Sequence, residues 1–253
     1  MSVLCPHCKQ PAPEEARFCG SCGKPLSGKS YDKEKSSLQL VIFFYITFLV
    51  FAIVSYIVYL ESDTLATEIA LESTFILLTL IFCFFDARNV FSLYRFSNID
   101  WKGLLFSLVF PVITAGLVYF GVSELNLLLF EEDYNMFYDY AHYENPFLWA
   151  FIFVAIVAPV FEELAFRGFL FNQLRIIASP QVTIFATAFI FALVHFSWIS
   201  LIWIFPFGIV LGYLRHKYHT LWLGMIVHFI HNLLVLLLEY YYYLQADVWE
   251  ELL

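Results

Sequence analysis

Three groups of polar side chains interrupt hydrophobic stretches of this chain, and their residue types could together hydrolyse a bond. The groups are Glu162, Glu163 and Arg167; His195; and His228 with Asn232. A carboxylate can take a proton from water, an imidazole can orient or share that proton, and an amide can donate to a developing oxyanion. Ionisable side chains at membrane depth cost about 3 kcal/mol or more each, so they tend to mark functional sites. The sequence therefore predicts a hydrolytic site embedded in a membrane.

The spacing within each group predicts which side chains meet. Glu162 and Glu163 are neighbours and lie about 100° apart on a helix, whereas Glu163 and Arg167 are four residues apart and can pair along one face. This predicts Glu163 as a structural anchor and leaves Glu162 as the freer carboxylate, available as a base. The alternative is a simple ion-pair cluster, with Arg167 reaching towards water at the membrane interface. His228 and Asn232 repeat the four-residue spacing and share a helix face.

The composition is that of a polytopic membrane protein. Of 253 residues, 61% are hydrophobic and only 14% are charged, and the mean hydropathy is +0.76. Soluble domains carry roughly a quarter charged residues. The net charge of −9 and the lack of a strongly basic face argue against nucleic acid as a partner. The N-terminus has no short apolar segment of the signal-peptide type, so we expect the first apolar stretch to act as an uncleaved insertion signal.

The apolar stretches predict an all-α membrane bundle of about seven spans, with lipid around it. About 20 residues are needed to cross the hydrocarbon core. The predicted spans are 38–60, 69–85, 103–121, 147–170, 182–196, 198–214 and 221–243. The fifth and sixth could form either a tight hairpin or one bent element. The predicted organisation is a ribbon over 1–26, a polar linker over 27–37, membrane helices over 38–130 and a catalytic core over 147–243.

The distribution of charge predicts the orientation of these spans. If the N-terminus is cytosolic, all 13 Lys and Arg residues, including Arg167 and Arg215, fall on the cytosolic side. The opposite side then receives acidic residues alone. This pattern predicts a multi-pass protein of the plasma membrane with its N-terminus in the cytosol and its C-terminus outside. The acidic segment 124–145 also contains several tyrosines, and we expect it to be a solvated loop or an interfacial helix.

Four cysteines near the N-terminus predict a metal site. Cys5, Cys8, Cys19 and Cys22 form two C-x-x-C knuckles, and each knuckle offers two thiolates to one tetrahedral zinc ion. The alternative, a pair of disulfides, requires an oxidising compartment, which the predicted cytosolic placement does not provide. Because protein fills all four positions, we expect the zinc to be structural. The segment resembles the short zinc ribbons of many bacterial membrane proteins, and it could recruit a cytosolic partner or only cap the N-terminus.

Three short motifs give the chain a resemblance to a known family. The sequence from Glu162 to Arg167 resembles the EExxxR motif of the CPBP family, the CAAX proteases and bacteriocin-processing enzymes also called Abi proteins. The sequence from Phe191 to His195 resembles its FxxxH motif, and that from His228 to Asn232 its HxxxN motif. The motifs occur in the family's order, each in a hydrophobic segment, and the resemblance covers about residues 147–243.

The resemblance implies an intramembrane endopeptidase on an all-helical fold, acting on a peptide or a membrane-associated protein. By the family's pattern, Glu162 and His195 would activate a water molecule, while His228 and Asn232 would stabilise the tetrahedral intermediate. Prenylated CAAX proteins are mainly eukaryotic and the ribbon looks bacterial, so we expect a substrate of another kind.

The resemblance also implies that Glu163 and Arg167 hold the site together. It leaves two other functions open. Some relatives act as scaffolds or in bacteriocin immunity, so a non-catalytic membrane scaffold is the main alternative. A proton-coupled transporter is a third possibility, because buried Glu and His also serve as proton relays.

Two features of the predicted site concern metal and geometry. Glu162, His195 and His228 would form a His₂Glu zinc set, but the family is described as using glutamate-activated water without a firmly bound ion, and we expect no catalytic metal. His195 lies roughly 20 Å along a straight helix from residue 181, whereas Glu162 is predicted near the cytosolic end of the fourth span. For His195 to meet Glu162, the fifth helix must therefore begin well outside the membrane or tilt. Ser179 and Pro180 suit such an early start.

Overall fold

The computed structural model describes residues 2–5, 7–13, 16, 18–24, 28–130, 135–196 and 198–250. Strand β1 (Ser2–Leu4) pairs antiparallel with β2 (Pro11–Pro13), with Val3 opposite Ala12. Residues 25–27, where the ribbon is predicted to meet the linker, lie outside the described residues. So do Arg17 of the predicted cytosolic charge and residues 131–134 of the acidic segment.

The other regular elements of the described chain are helices. The helices are α1 (Gly28–Glu61), α2 (Leu65–Phe85), α3 (Ala87–Phe91), α4 (Trp101–Gly116), α5 (Ser123–Phe130), α6 (Pro146–Ile177), α7 (Pro180–Leu193), α8 (Trp198–Tyr218) and α9 (Trp222–Glu250). Among the described residues, five of these are long and apolar enough to cross a membrane: α1, α2, α6, α9, and α4 with its continuation to Gly121. The predicted fifth span is the shorter apolar helix α7, and the predicted sixth is α8. The all-α membrane fold is confirmed.

Local sequence explains where several helices begin. A chain in lipid must satisfy its backbone groups internally, so long apolar stretches become helices. Thr64, Asp100 and Ser179 each accept a hydrogen bond from an amide N–H three residues later, at the first turns of α2, α4 and α7. Pro180 then occupies the first position of α7, where its missing N–H costs nothing. Helix α7 therefore begins at the two residues that the sequence indicated.

Two helices are longer than the apolar pattern predicts. Helix α1 begins at Gly28, so residues 28–37 of the predicted linker continue the helix. Helix α6 runs to Ile177, seven residues beyond its predicted end at residue 170. The polar side chains after residue 170 suggested an end, but Gln173 is buried and Asn172 is held by hydrogen bonds to Asp86 and Arg215. Polar residues can extend a helix when other helices satisfy them.

An aromatic core surrounds α6. Phe44 of α1 and Phe82 of α2 are fully buried, and their rings pack at 5.1 Å between centroids. The Phe44 ring also lies 5.6 Å from that of Phe166, which in turn lies 5.1 Å from Phe191 of α7. Aromatic rings bury large apolar areas and favour such tilted contacts. These contacts place α6 in the middle of the bundle, between α1 and α2 on one side and α7 on the other.

Several aromatic residues in the described part of the acidic segment are packed against the bundle. Phe137 is fully buried. The Tyr140 hydroxyl donates to Glu68 at 3.1 Å, and the Tyr143 hydroxyl donates to Asp63 at 3.0 Å.

The prediction of a solvated loop or interfacial helix agrees with the exposed side chains of Asp139 and Glu144 but did not include the buried aromatic rings. Tyrosine rings can be buried while their hydroxyls donate to acids. We call this end of the bundle the acidic end.

Candidate active site

The side chains of the EExxxR motif lie in the centre of α6 and differ in exposure. The Glu162 side chain is 18% exposed, whereas that of Glu163 is 1% exposed and that of Arg167 is fully buried. Arg167 Nη1 lies 2.9 Å from Glu163 Oε1, so the predicted pair is present. Arg167 therefore does not reach towards water, as the ion-pair alternative required. Glu162 is the freer of the two carboxylates, as the spacing predicted.

Neighbouring helices fix the buried ion pair. Arg167 Nη2 donates to the carbonyl of Gly208 in α8 at 3.3 Å, and its guanidinium lies 4.3 Å above the Phe191 ring of α7. Gly224 of α9 approaches from the other side. A Cβ atom on Gly224 would lie 2.5 Å from Glu163 Oε2, closer than real Cβ atoms come to other heavy atoms. Three helices therefore hold the Glu163–Arg167 pair.

His228 of α9 lies between the two glutamates. Its Nε2 is 3.6 Å from Glu162 Oε2, and its Nδ1 is 3.7 Å from Glu163 Oε1. The His228 side chain is 6% exposed, and the Phe191 and Phe207 rings pack against it. The structure thus brings the first and third motifs together, with one imidazole facing both carboxylates.

Asn232 lies one turn after His228 in α9 and contacts an irregular part of α6. Residues Phe151–Val157 form a wide, π-helical turn, in which the Ala158 N–H donates to the Phe153 carbonyl five residues back. The Val154 carbonyl cannot bond to residue 159, since that residue is proline and has no N–H. Asn232 Nδ2 donates to the Val154 carbonyl at 2.9 Å instead. The Asn232 side chain therefore satisfies the carbonyl that the backbone of this first wide turn leaves without a donor.

His195 lies beyond the end of α7, not within the helix as predicted. Helix α7 ends at Leu193, and His195 follows in a turn with an exposed side chain. Its Nδ1 is 2.7 Å from the Phe191 carbonyl, and its ring packs 4.9 Å from the Phe191 ring. Within the described part of the chain, no hydrogen bond or ion pair joins His195 to Glu162 or His228.

The antiparallel arrangement of α6 and α7 nevertheless brings His195 to the level of the glutamates. Phe191 lies directly against Arg167. His195 follows Phe191 by four residues and Glu163 precedes Arg167 by four residues, so both lie in the same direction from this contact. Helix α6 continues ten residues past Arg167, about 15 Å, before α7 begins and returns alongside it.

The His₂Glu alternative for a metal is not supported by these positions. Among the described residues, one group of His, Cys, Asp or Glu has three or more ligand atoms within 4.8 Å of one another, and it is the cysteine quartet. Glu162, His195 and His228 therefore do not form a compact ligand set in this geometry.

The cysteine quartet has the dimensions of a tetrahedral metal site. The Sγ atoms of Cys5 and Cys22 are 3.7 Å apart, and those of Cys8 and Cys19 are 3.6 Å apart. A Zn–S distance of about 2.3 Å gives sulfur–sulfur edges of about 3.8 Å in a tetrahedron. All five cysteines of the chain are described and each is a free thiol, so the disulfide alternative is not observed. Four close cysteines can therefore bind a metal ion.

The backbone favours the thiolate, the form that binds metal, at two of the four cysteines. The N–H groups of Cys22 and Ser21 point to the Cys19 sulfur and lower the pKa of Cys19 to about 6. The backbone N–H of Cys8 likewise lowers the pKa of Cys5. Oriented amides stabilise the charged form of a thiol.

Sequence reasoning missed two residues that touch the site. Gly224 lies one helical turn before His228, and this spacing was a usable signal for the face that packs on Glu163. Arg215 was expected on the cytosolic surface, but it is only 6% exposed and donates to the Arg167 carbonyl at 3.0 Å. Nothing in the local sequence indicates that contact, because the two residues are 48 positions apart.

The match to known proteins falls on the same segment. The family model described as Rce1-like, type II CAAX prenyl endopeptidase Rce1-like, matches residues 144–234, which contain all three motifs. No curated protein and no solved structure gives a significant match to the chain. Residues 144–234 are therefore similar to the Rce1-like CAAX prenyl endopeptidases, in agreement with the resemblance that the three motifs predicted.

Proposed function

We propose that this protein is an intramembrane endopeptidase that hydrolyses a peptide bond with water activated by Glu162. The observation that carries this proposal is the position of the Glu162 carboxylate. It is partly accessible and lies 3.6 Å from the His228 imidazole, whereas the neighbouring Glu163 is buried and paired with Arg167. A base needs access to water and a partner that can share its proton.

In the proposed reaction, Glu162 accepts one proton from water and later donates it to the leaving group. The oxygen of water bonds to the carbonyl carbon while its proton passes to the Glu162 carboxylate. When the carbon–nitrogen bond breaks, this proton passes to the leaving nitrogen, which departs as an amine. Glu162 returns to its starting form, and the side chain of His228 stabilises the negative oxygen of the intermediate.

His195 would assist from the exposed side of the site. A carbonyl only accepts hydrogen bonds, so the contact with Phe191 requires Nδ1 of His195 to carry the hydrogen. In the neutral ring, Nε2 is then the acceptor. We propose that this Nε2 orients the attacking water, which would bridge the distance between His195 and Glu162.

Asn232 would have two roles. One hydrogen of its amide group is donated to the Val154 carbonyl. The amide carries a second hydrogen, which we propose donates to the oxyanion beside His228. An anchored amide is suited to this role, because it needs little reorganisation during the reaction.

The proposed orientation follows from the charges. The acidic end would face outwards, and the ribbon and the basic residues would lie in the cytosol, with the protein in the plasma membrane. Residues 135–145 pack over the acidic end, with Phe137 fully buried. We therefore propose that a peptide or membrane-associated protein enters from the cytosolic side or from the lipid.

We also propose that the ribbon holds a structural zinc ion, which would supply folding energy to residues 1–26 and no chemistry to the active site. Chelation should remove one zinc per chain and abolish the structure of the ribbon, while the helical circular dichroism of the membrane bundle persists. Loss of the helical signal on chelation would contradict this separation.

The test of the proposed function is the substitution Glu162→Ala in the full chain, reconstituted in lipid and assayed by mass spectrometry against a membrane-peptide library. Turnover should fall about 1,000-fold, the contribution of a general base, with no fall in the melting temperature. Glu61→Ala is the control, since Glu61 is an exposed acid at the end of α1. If wild-type protein and Glu162→Ala behave alike, the peptidase proposal is wrong, and a scaffold that keeps its binding partner becomes the better explanation.

A further inference from the structure

A second wide turn follows Glu162 in α6. Residues Glu163–Leu170 are π-helical, and the N–H of Phe171 donates to the Phe166 carbonyl, five residues back. That N–H is therefore not bonded to Arg167, the residue four positions back. Regular α-helix resumes at Phe171. Where the backbone hydrogen bonds change from a spacing of five residues back to four, one carbonyl, that of Arg167, receives no N–H of the helix. A buried carbonyl then needs a donor from another part of the chain.

The missing donor comes from α8. Arg215 Nε donates to the Arg167 carbonyl at 3.0 Å. This is the arrangement seen at the first wide turn, where the last amide also bonds five residues back and Asn232 donates to the Val154 carbonyl. Each irregular turn of α6 is thus completed by one side chain of another helix.

Other contacts fix the Arg215 guanidinium in place. Nη2 donates to Asn172 Oδ1 at 2.8 Å, and Asn172 Nδ2 donates to Asp86 Oδ2 at 3.0 Å. The guanidinium also lies 5.2 Å from the Phe171 ring. A planar group with several donors is suited to bridge a backbone carbonyl and a side chain at once, which a lysine cannot do equally well.

The turn that Arg215 completes contains residues of the active site. Glu163 begins this turn and Arg167 lies inside it. A wide turn changes the angular positions of its residues relative to Glu162, which precedes it. The two carboxylates face the two nitrogens of His228 at 3.6 and 3.7 Å, so a change in the turn would move them relative to that ring.

We propose that Arg215 is a positioning residue, which holds the second wide turn of α6 and so sets the geometry of Glu162 and Glu163 around His228. Its importance for turnover rests on the proposed peptidase function, but its effect on the geometry does not. None of the three sequence motifs contains Arg215.

The kinetic part of the experiment compares Arg215→Met, Arg215→Lys and Lys217→Met in the reconstituted full chain. Lys217 is the matched control, an exposed basic residue two positions further along α8. Arg215→Met should lower kcat about 10- to 100-fold with KM changed less than about threefold, since small misplacements of reacting groups mainly slow the chemical step. Arg215→Lys should recover part of the loss, and Lys217→Met should match the wild type.

The second part is independent of activity. The ring-nitrogen resonances of His228 are measured by NMR on protein labelled with ¹⁵N-histidine and assigned with His228→Gln. Arg215→Met should shift them, because the facing carboxylates move, and Lys217→Met should not. If the His228 resonances are unchanged in Arg215→Met, the positioning role is refuted. If they shift but the wild-type protein has no turnover, the positioning role stands and the peptidase function fails.

Discussion

The two wide turns of α6 lie on either side of Glu162 and are built differently. The first, Phe151–Val157, precedes Pro159, whose missing N–H leaves the Val154 carbonyl for Asn232. The second, Glu163–Leu170, contains no proline, and its free carbonyl accepts from Arg215. The first turn thus has a cause within α6 itself, whereas the second depends on another helix. Pro159 of α6 thus accounts for the free carbonyl of the first turn, whereas Arg215 of α8 holds the second turn from outside.

This difference matters for the site between the turns. A regular helix would fix the angular positions of Glu162, Glu163 and Arg167 by its own geometry. Two wide turns make those positions depend on donors from α8 and α9, so the site is assembled only when these helices pack. π-helical turns often occur at functional sites, and here one begins at the residue that follows Glu162.

Among changes around the two turns, the largest effect is expected where the second turn meets α9. The Cβ atom of Gly224→Ala would lie 2.5 Å from Glu163 Oε2, so the carboxylate, whose Oε1 faces Arg167 and His228, must shift. We expect a loss of turnover of about 100-fold and a loss of about 1–3 kcal/mol in the free energy of unfolding. Steady-state kinetics and chemical denaturation in micelles would measure both.

Gly116→Ala is the matched control for this change. A Cβ atom at Gly116 meets no heavy atom within 4 Å, so turnover and stability should stay close to the wild type. Equal losses in Gly224→Ala and Gly116→Ala would show that the contact with Glu163 is not the cause.

A smaller effect is expected at the first turn, and it should depend on Pro159. Asn232→Leu leaves the Val154 carbonyl without its donor and should lower the free energy of unfolding by about 1–3 kcal/mol. Pro159→Ala restores an N–H to the helix. The loss caused by Asn232→Leu should therefore be about 1 kcal/mol smaller in the Pro159→Ala background. Denaturation of the four proteins of this cycle gives the coupling, and strict additivity would contradict the cause assigned to Pro159.

The smallest effect is expected at Asn172, which accepts a hydrogen bond from Arg215 beside the second turn. Asn172→Leu removes one anchor of Arg215 and leaves its bond to the Arg167 carbonyl. We expect a loss of about 1 kcal/mol in the free energy of unfolding and a fall in turnover of less than about tenfold. A larger loss of turnover than in Arg215→Met would place the important contact at Asn172 instead of at the Arg167 carbonyl.

Much of the membrane core could be predicted from local spacing. The pairing of Glu163 with Arg167 follows from their separation of four residues, and the start of α7 follows from Ser179 and Pro180. Long apolar stretches predicted the all-α membrane fold. These predictions succeed because each depends on residues within one or two helical turns.

Other predictions were wrong or incomplete because distant residues decide them. The end predicted for the fourth span at residue 170 was wrong, since Asn172 is satisfied by Asp86 and Arg215 from other parts of the chain. The prediction of a solvated acidic loop did not include the buried tyrosines of that segment, because Tyr140 donates to Glu68, 72 residues earlier. Hydropathy assigns polar residues to water, and it cannot show which ones find partners inside the bundle.

The sequence by itself determined which side chains are available for chemistry, that membrane helices carry them, and that four cysteines can enclose a metal ion. Only the tertiary structure decided how those side chains are oriented. The backbone of α6 departs from regular geometry on both sides of Glu162, and the donors that complete it are 78 residues away in Asn232 and 48 residues away in Arg215. The physical reason is that a buried carbonyl must find a donor, and for these two carbonyls the helix itself does not supply one.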